Sequence, residues 1–154
     1  MNELQTKNVK IIFIHIAYWV GIILDLLSAI ASTIYMLSPN ETFINTIMKF
    51  PPLSEGTFVI LITETALMWG WTALLFWADR KPIERRGVLL LTLVPVLSII
   101  IMNTIIGLVQ GNPYMSYVRL ILIVAFAIVL TGFILAQLIV KKESMEPVDS
   151  SSTV

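Results

Sequence analysis

Four long apolar segments constrain this chain more than any other feature of its sequence. They cover residues 11–37, 57–78, 88–109 and 117–140. A helix rises about 1.5 Å per residue, so about 20 residues cross a hydrocarbon core of about 30 Å, and every segment is long enough. Backbone groups find no water in hydrocarbon, and the segments lack the alternation of barrel strands. All four are therefore predicted to be helices.

The composition places the chain among membrane proteins. Hydrophobic residues make up 57% of its 154 residues and charged residues only 13%, too few to cover the surface of a soluble domain. The predicted fold is all-α, an integral membrane four-helix bundle over residues 1–142 with antiparallel up-and-down neighbours. Residues 143–154 are polar and are predicted to form a disordered tail. A formal net charge of zero suggests neither nucleic acid nor an acidic surface as a partner, and the apolar segments predict the lipid bilayer as the partner.

Lysine and arginine residues predict the orientation of the helices. Eight of the ten belong to the connections on one side of the membrane: Lys7, Lys10, Arg80, Lys81, Arg85, Arg86, Lys141 and Lys142. Lys49 and Arg119 remain for the other side. The positive-inside rule therefore predicts a multi-pass protein of the cell membrane with both termini in the cytoplasm.

The first segment also fits a second interpretation. A basic start, an apolar run and the Ala29-Ile30-Ala31 spacing imitate a secretory signal peptide with its cleavage site. The run is longer than a usual signal core, and Asp25 interrupts it close to the proposed cut, which favours a retained helix. An intact mass beginning at Ser32 would show cleavage.

Four polar residues interrupt the apolar segments. Asp25 lies near the middle of the first segment, Glu64 outward of the middle of the second, Asn103 in the outer half of the third and Arg119 near the outer end of the fourth. A charged side chain near the bilayer centre costs about 2.5 to 3.5 kcal/mol on insertion scales. We therefore expect these side chains to face the bundle interior, a partner or water.

Residue spacing places these polar groups on particular helix faces. In the first segment Asp25 belongs to a stripe of small residues with a period of four, which allows another helix to approach and predicts contacts within the bundle or between chains. In the second segment Glu64 shares one side with an indole seven residues away. The residues involved are Ala17, Gly21, Asp25 and Ala29 in the first stripe, and Thr57, Glu64 and Trp71 in the second.

Proline interrupts the third segment. Pro95 has no backbone N–H, so the carbonyl of Leu91 loses its usual helical partner. A kink or a polar contact is expected there.

The polar cluster permits three hypotheses. In the first, Asp25, Glu64, Asn103 and Arg119 only determine how the helices dock, as in a structural or accessory membrane subunit. In the second, the carboxyl groups bind a cationic or hydroxylated amphiphile beside aromatic walls such as Trp71. In the third, they pass ions or protons along a watery cleft. A non-enzymatic binding or transport protein for a small or lipid-like molecule is the favoured function.

One resemblance to a known family supports the second hypothesis. The order of Asp25, Pro51-Pro52, Glu64 and Leu93-Val94-Pro95 resembles EXPERA-domain sterol-binding and sterol-isomerase proteins. The likeness covers scattered positions of the first three segments and none of the fourth. It implies a ligand pocket in which Asp25 and Glu64 take the acidic roles.

Sequence motifs for catalysis or cofactors are not found. The chain has no cysteine, no Gly-rich phosphate loop, no nucleophile elbow and no zinc-protease pattern. His15 is the single histidine, and nothing close to it in sequence completes a set of metal ligands, so we expect it at the membrane interface. We therefore expect no cofactor, no metal and no catalytic residue.

Overall fold

The computed structural model describes residues 3–38, 54–109 and 114–145 of the chain. Within these residues four helices are long and apolar enough to cross a membrane, and there is no strand. This confirms the predicted all-α class and the four helices long and apolar enough to span a membrane. The connection that contains Pro51 and Pro52 and the tail beyond residue 145 lie outside the described residues.

The helices are longer than the apolar segments that predict them. α1 begins at Glu3 instead of residue 11, and α4 ends at Met145 instead of residue 140, so the first residues of the predicted tail are helical. α3 consists of three consecutive helical pieces. The elements are α1 (Glu3–Leu37), α2 (Glu55–Asp79), α3 (Gly87–Leu91, Thr92–Leu97 and Ser98–Val109) and α4 (Tyr114–Met145).

The irregularity of α3 follows from Pro95. The middle piece, Thr92–Leu97, is a π-helix with Pro95 inside it. The backbone N–H and the hydroxyl of Ser98 both donate to the carbonyl of Leu93, five residues earlier, the hydroxyl at 3.0 Å. A π-helical turn accommodates the missing N–H of proline by shifting the hydrogen bonds by one residue. The expected disturbance at Pro95 is thus present as a change of helix type.

α1 is the central helix of the structure. It packs along α2 on one side and along α4 on another, while α3 packs mainly on α4. α1 and α2 are antiparallel, since His15 contacts Asp79 and Gly21 lies against Leu75. We call the end of the helices next to residues 80–86 the turn end, and the other end the far end. Most of the connected core lies in the half next to the turn end.

Small residues allow α1 to pack closely against its neighbours. A Cβ atom built on Gly132 of α4 would lie less than 3.0 Å from the Cβ of Ala17 and 3.8 Å from the Cα of Ile14. A Cβ atom on Gly21 would lie 3.2 Å from a methyl group of Leu75 in α2. The small-residue stripe of α1 therefore serves packing inside the chain at both places.

Candidate functional site

Asp25 lies on the interior face of α1. Tyr18, Ile22, Ala29 and Ser32 are all buried, and each is three, four or seven residues from Asp25, the spacing of one helix face. Asp25 itself is only half-buried. Its carboxyl group therefore points toward the interior at a level where the packing is less complete than around its four neighbours.

One oxygen of the Asp25 carboxyl group is buried without a hydrogen-bond partner among the described residues. Its Oδ2 atom is buried, and the described residues place no donor within reach of it. A buried carboxylate without a partner is strongly unfavourable, and a neutral carboxyl still has a donor and an acceptor to satisfy. Among the described residues, two buried side-chain atoms lack a hydrogen-bond partner, Oδ2 of Asp25 and Nε of Arg86, and only Asp25 lies away from the turn end.

Glu64 has a different environment from Asp25. It follows Glu55, the start of α2, by nine residues and precedes Asp79, its end, by fifteen, which places it about 22 Å from the turn end. Its side chain is exposed. Glu64 is therefore not part of the interior face of α2, on which Leu61 and Thr65 are the buried residues near it, and the expected alternatives of a partner or water stay a prediction.

Trp71 joins α2 to α3. Its indole Nε1 donates a hydrogen bond to Oγ1 of Thr92 at 3.3 Å, and Thr92 donates in turn to the carbonyl of Val88 at 2.9 Å. Glu64 is seven residues away on the same side of α2, yet it makes no such contact. The contacts between α2 and α3 are concentrated near Gly87–Leu91. The two helices therefore meet at the turn end and separate toward the far end.

The remaining predicted site residues lie near the far end. The side chain of Asn103 is exposed, while that of the next residue, Thr104, is buried and donates to the carbonyl of Ile100 at 2.8 Å. Arg119 belongs to α4, but its side chain is outside the described part of the structure. No hydrogen bond between the described side chains joins Asp25, Glu64, Trp71 and Asn103 to one another.

An open apolar groove of about 430 Å³ lies between α1 and α4. Leu24, the neighbour of Asp25 in sequence, lines this groove, so the carboxyl group and the groove belong to adjacent faces of one helical turn. The lining has no polar surface. It consists of Val20, Ile23, Leu24, Leu120, Ile121, Val124, Ala125 and Ile128.

A polar cluster at the turn end was not predicted. Nδ1 of His15 lies 2.6 Å from Oδ1 of Asp79, and the hydroxyl of the fully buried Tyr18 donates to the carbonyl of Arg85 at 2.9 Å. His15 is thus paired with an acid that is 64 residues away in sequence. The sequence does contain a signal for this pair. His15 and Asp79 lie near the same end of two apolar segments that are predicted to be antiparallel neighbours, so comparing their positions along the helices would have predicted the contact.

The turn between α2 and α3 is held by its basic residues. The guanidinium group of Arg85 lies 3.4 Å from the centre of the Trp77 ring and donates to the carbonyl of Trp77. Lys81 pairs with Glu84 at 3.0 Å. In the described part of the chain, no three His, Cys, Asp or Glu side chains come together as metal ligands.

Comparison of the chain with protein-family models, with curated proteins and with solved structures gave no match.

Proposed function

We propose that the chain is a multi-pass protein of the cell membrane whose two termini and turn end face the cytoplasm. The distribution of basic residues supports this orientation, since Arg80, Lys81, Arg85 and Arg86 occupy the connection between α2 and α3. α1 and α4 place further lysines at the same end. In this orientation Glu64 and Asn103 lie in the outer half of the membrane.

Within this membrane protein, Asp25 is proposed as the polar anchor of a binding site for a small amphiphile. The observation that carries the proposal is the buried Oδ2 atom without a hydrogen-bond donor from the described residues. An ammonium or hydroxyl group of a ligand would supply the missing partner. The open apolar groove beside Leu24 offers a surface for a hydrocarbon tail on the adjacent face of α1.

Trp71 and the separation of α2 from α3 support the same proposal. The bond from Trp71 to Thr92 closes the space between these helices at the turn end, while toward the far end they separate. An amphiphile would then reach the interior from the far half of the structure. Glu64, Asn103 and Arg119 are proposed to border that approach and not to anchor the ligand.

A second candidate is an accessory subunit that docks on another membrane protein. The exposure of Glu64 favours it, because a carboxyl group on an outward face of a spanning helix is costly unless something covers it. In this function the polar residues serve association instead of ligand binding.

The proposed amphiphile site is tested by thermal unfolding of the full chain in lipid nanodiscs. The probes are dodecylamine and dodecanol, which share a tail and differ in head group. At about 100 times the dissociation constant, dodecylamine should stabilise the wild-type chain by about 2.7 kcal/mol and raise Tm by about 5 to 10 °C. Asp25→Asn should abolish this rise, and dodecanol should give a smaller one.

Glu64→Gln is the matched control, since it converts a second spanning carboxyl group to an amide. It should keep the full Tm rise with dodecylamine because Glu64 is exposed. Asp25→Leu checks folding, since an apolar side chain in place of an unpaired buried carboxyl should not lower stability. An equal Tm rise in the wild type and Asp25→Asn, or a rise lost only in Glu64→Gln, would refute the assignment.

A further inference from the structure

The outward face of α2 carries an ionisable group without a partner. Glu64 is exposed and makes no hydrogen bond or ion pair with the described residues. It lies about 14 Å from the start of α2 and about 22 Å from its end, well inside the length needed to cross a hydrocarbon core of about 30 Å. A carboxyl group at that depth is unfavourable against lipid and favours a hydrogen-bonded or charged neighbour.

The residues beside Glu64 form a regular helix-packing surface. Gly56, Thr63 and Gly70 recur every seven residues, and Ile60 and Leu67 each follow one of them by four. All five are exposed, and the side chains of Ile60 and Leu67 are 60% and 68% accessible. A Cβ atom on Gly56 or Gly70 would meet nothing within 4 Å. This alternation of small and large residues has the seven-residue period of helices packed knobs-into-holes.

Glu64 flanks this surface in the position that selects partners. It directly follows Thr63, so in heptad terms it occupies a position beside the seam, where interhelical ion pairs set the choice of partner. At the turn end the corresponding position, Trp71, already bonds to Thr92 of α3. At Glu64, by contrast, the side chain is exposed and has no hydrogen bond or ion pair with a described residue of α3.

We infer that the Ile60–Thr63–Leu67–Gly70 face of α2 docks a membrane-spanning helix of another protein, one that carries a lysine or arginine at the depth of Glu64. The chemistry is a charge-assisted hydrogen bond between helices, with the small residues allowing close approach. This inference does not rest on the amphiphile being bound, because Asp25 on the interior face of α1 is the proposed anchor and Glu64 only borders the approach to it.

A second copy of this chain fits the face less well than a foreign helix. Eight of the ten basic residues belong to the turn end, Arg119 belongs to α4, and α2 itself contains no lysine or arginine. Lys49 is outside the described residues. Two copies joined through this face would therefore bring Glu64 against Glu64, and like charges at flanking positions oppose pairing.

The test uses designed peptides and the full chain in phosphatidylcholine vesicles. One peptide is a polyleucine helix with a single lysine at the depth of Glu64, and its matched partner has leucine there. Energy transfer between labelled peptide and labelled chain measures association. The lysine peptide should bind the wild-type chain about tenfold more tightly than the leucine peptide, the preference expected of one good polar contact between helices.

Variants of the two exposed glutamates of α2 provide the control. Glu64→Gln should reduce the preference to less than about twofold, whereas Glu55→Gln, at the helix start, should leave it unchanged. Glu64→Lys should reverse it in favour of a peptide with glutamate at the same depth, which keeps the test decisive even if one variant inserts poorly. Equal binding of both peptides by the wild type, a preference retained in Glu64→Gln, or Glu64-dependent self-association of the chain would overturn the inference.

Discussion

Gly132 provides the sharpest test of the packing, because α4 crosses α1 there with no room for a side chain. A Cβ atom at position 132 would lie less than 3.0 Å from the Cβ of Ala17. Carbon atoms in good contact are about 3.5 to 4.0 Å apart, so Gly132→Ala must separate the helices by at least about 0.5 Å. Ala17 has no flexible end that could move aside.

The expected cost combines two opposing effects. Overpacking a well-packed contact costs about 1 to 3 kcal/mol, while alanine is favoured over glycine inside a helix by about 1 kcal/mol. Gly132→Ala should therefore destabilise the chain by about 1 to 2 kcal/mol. Gly70→Ala is the matched control, because nothing lies within 4 Å of its Cβ position, and it should be neutral or stabilising by up to about 1 kcal/mol.

The assay is SDS-induced unfolding of the full chain in mixed micelles, followed by circular dichroism. A compensating variant isolates the contact itself. Ala17→Gly removes the obstructing Cβ atom, after which a side chain at position 132 meets only the backbone of Ile14 and Ala17, at 3.8 and 3.9 Å. Ala17→Gly combined with Gly132→Ala should recover about 1 kcal/mol or more relative to the sum of the single changes. Purely additive effects, or a Gly132→Ala chain as stable as the wild type, would refute the proposed crossing.

Two further predictions concern the turn end and the orientation. Tyr18→Phe should lower the free energy of unfolding by about 0.5 to 1.5 kcal/mol in the same assay, because the carbonyl of Arg85 loses a buried donor at 2.9 Å, and an unchanged midpoint would contradict this bond. Since the chain has no cysteine, single substitutions report topology directly. In intact cells a membrane-impermeant maleimide should label Thr42→Cys but label Ser150→Cys only after permeabilisation, and the reverse pattern would contradict the proposed orientation.

Asp25 and Glu64 show what the spacing of residues in the sequence can predict and what it cannot. Asp25 belongs to a stripe of small residues in which Ala17 and Ala29 are buried and Gly21 packs against Leu75, so the spacing indicated a face that packs within the chain. Glu64 shares a side of α2 with Trp71, but only Trp71 contacts α3. Spacing relates residues within one helix, whereas burial depends on where a neighbouring helix begins to diverge.

The contact between His15 and Asp79 is a second feature that residue spacing within one helix does not predict. Both residues stand at the boundary of an apolar segment, and each alone is typical of a membrane interface. Their contact at 2.6 Å requires that α1 and α2 be neighbours and be rotated toward each other. Helix rotation is determined by packing of side chains such as Tyr18 and Leu75, which a hydrophobic period identifies only approximately.

The sequence by itself determined that this chain forms four helices long and apolar enough to span a membrane, because a bilayer demands about 20 apolar residues per crossing and satisfies backbone groups only within a helix. It also located the disturbance at Pro95, since a missing N–H acts within one helical turn. Only the tertiary structure decided that Asp25 turns inward, that Glu64 faces outward and that Gly132 lies against Ala17. These depend on which helices touch and at what rotation, and both follow from the packing of all four together.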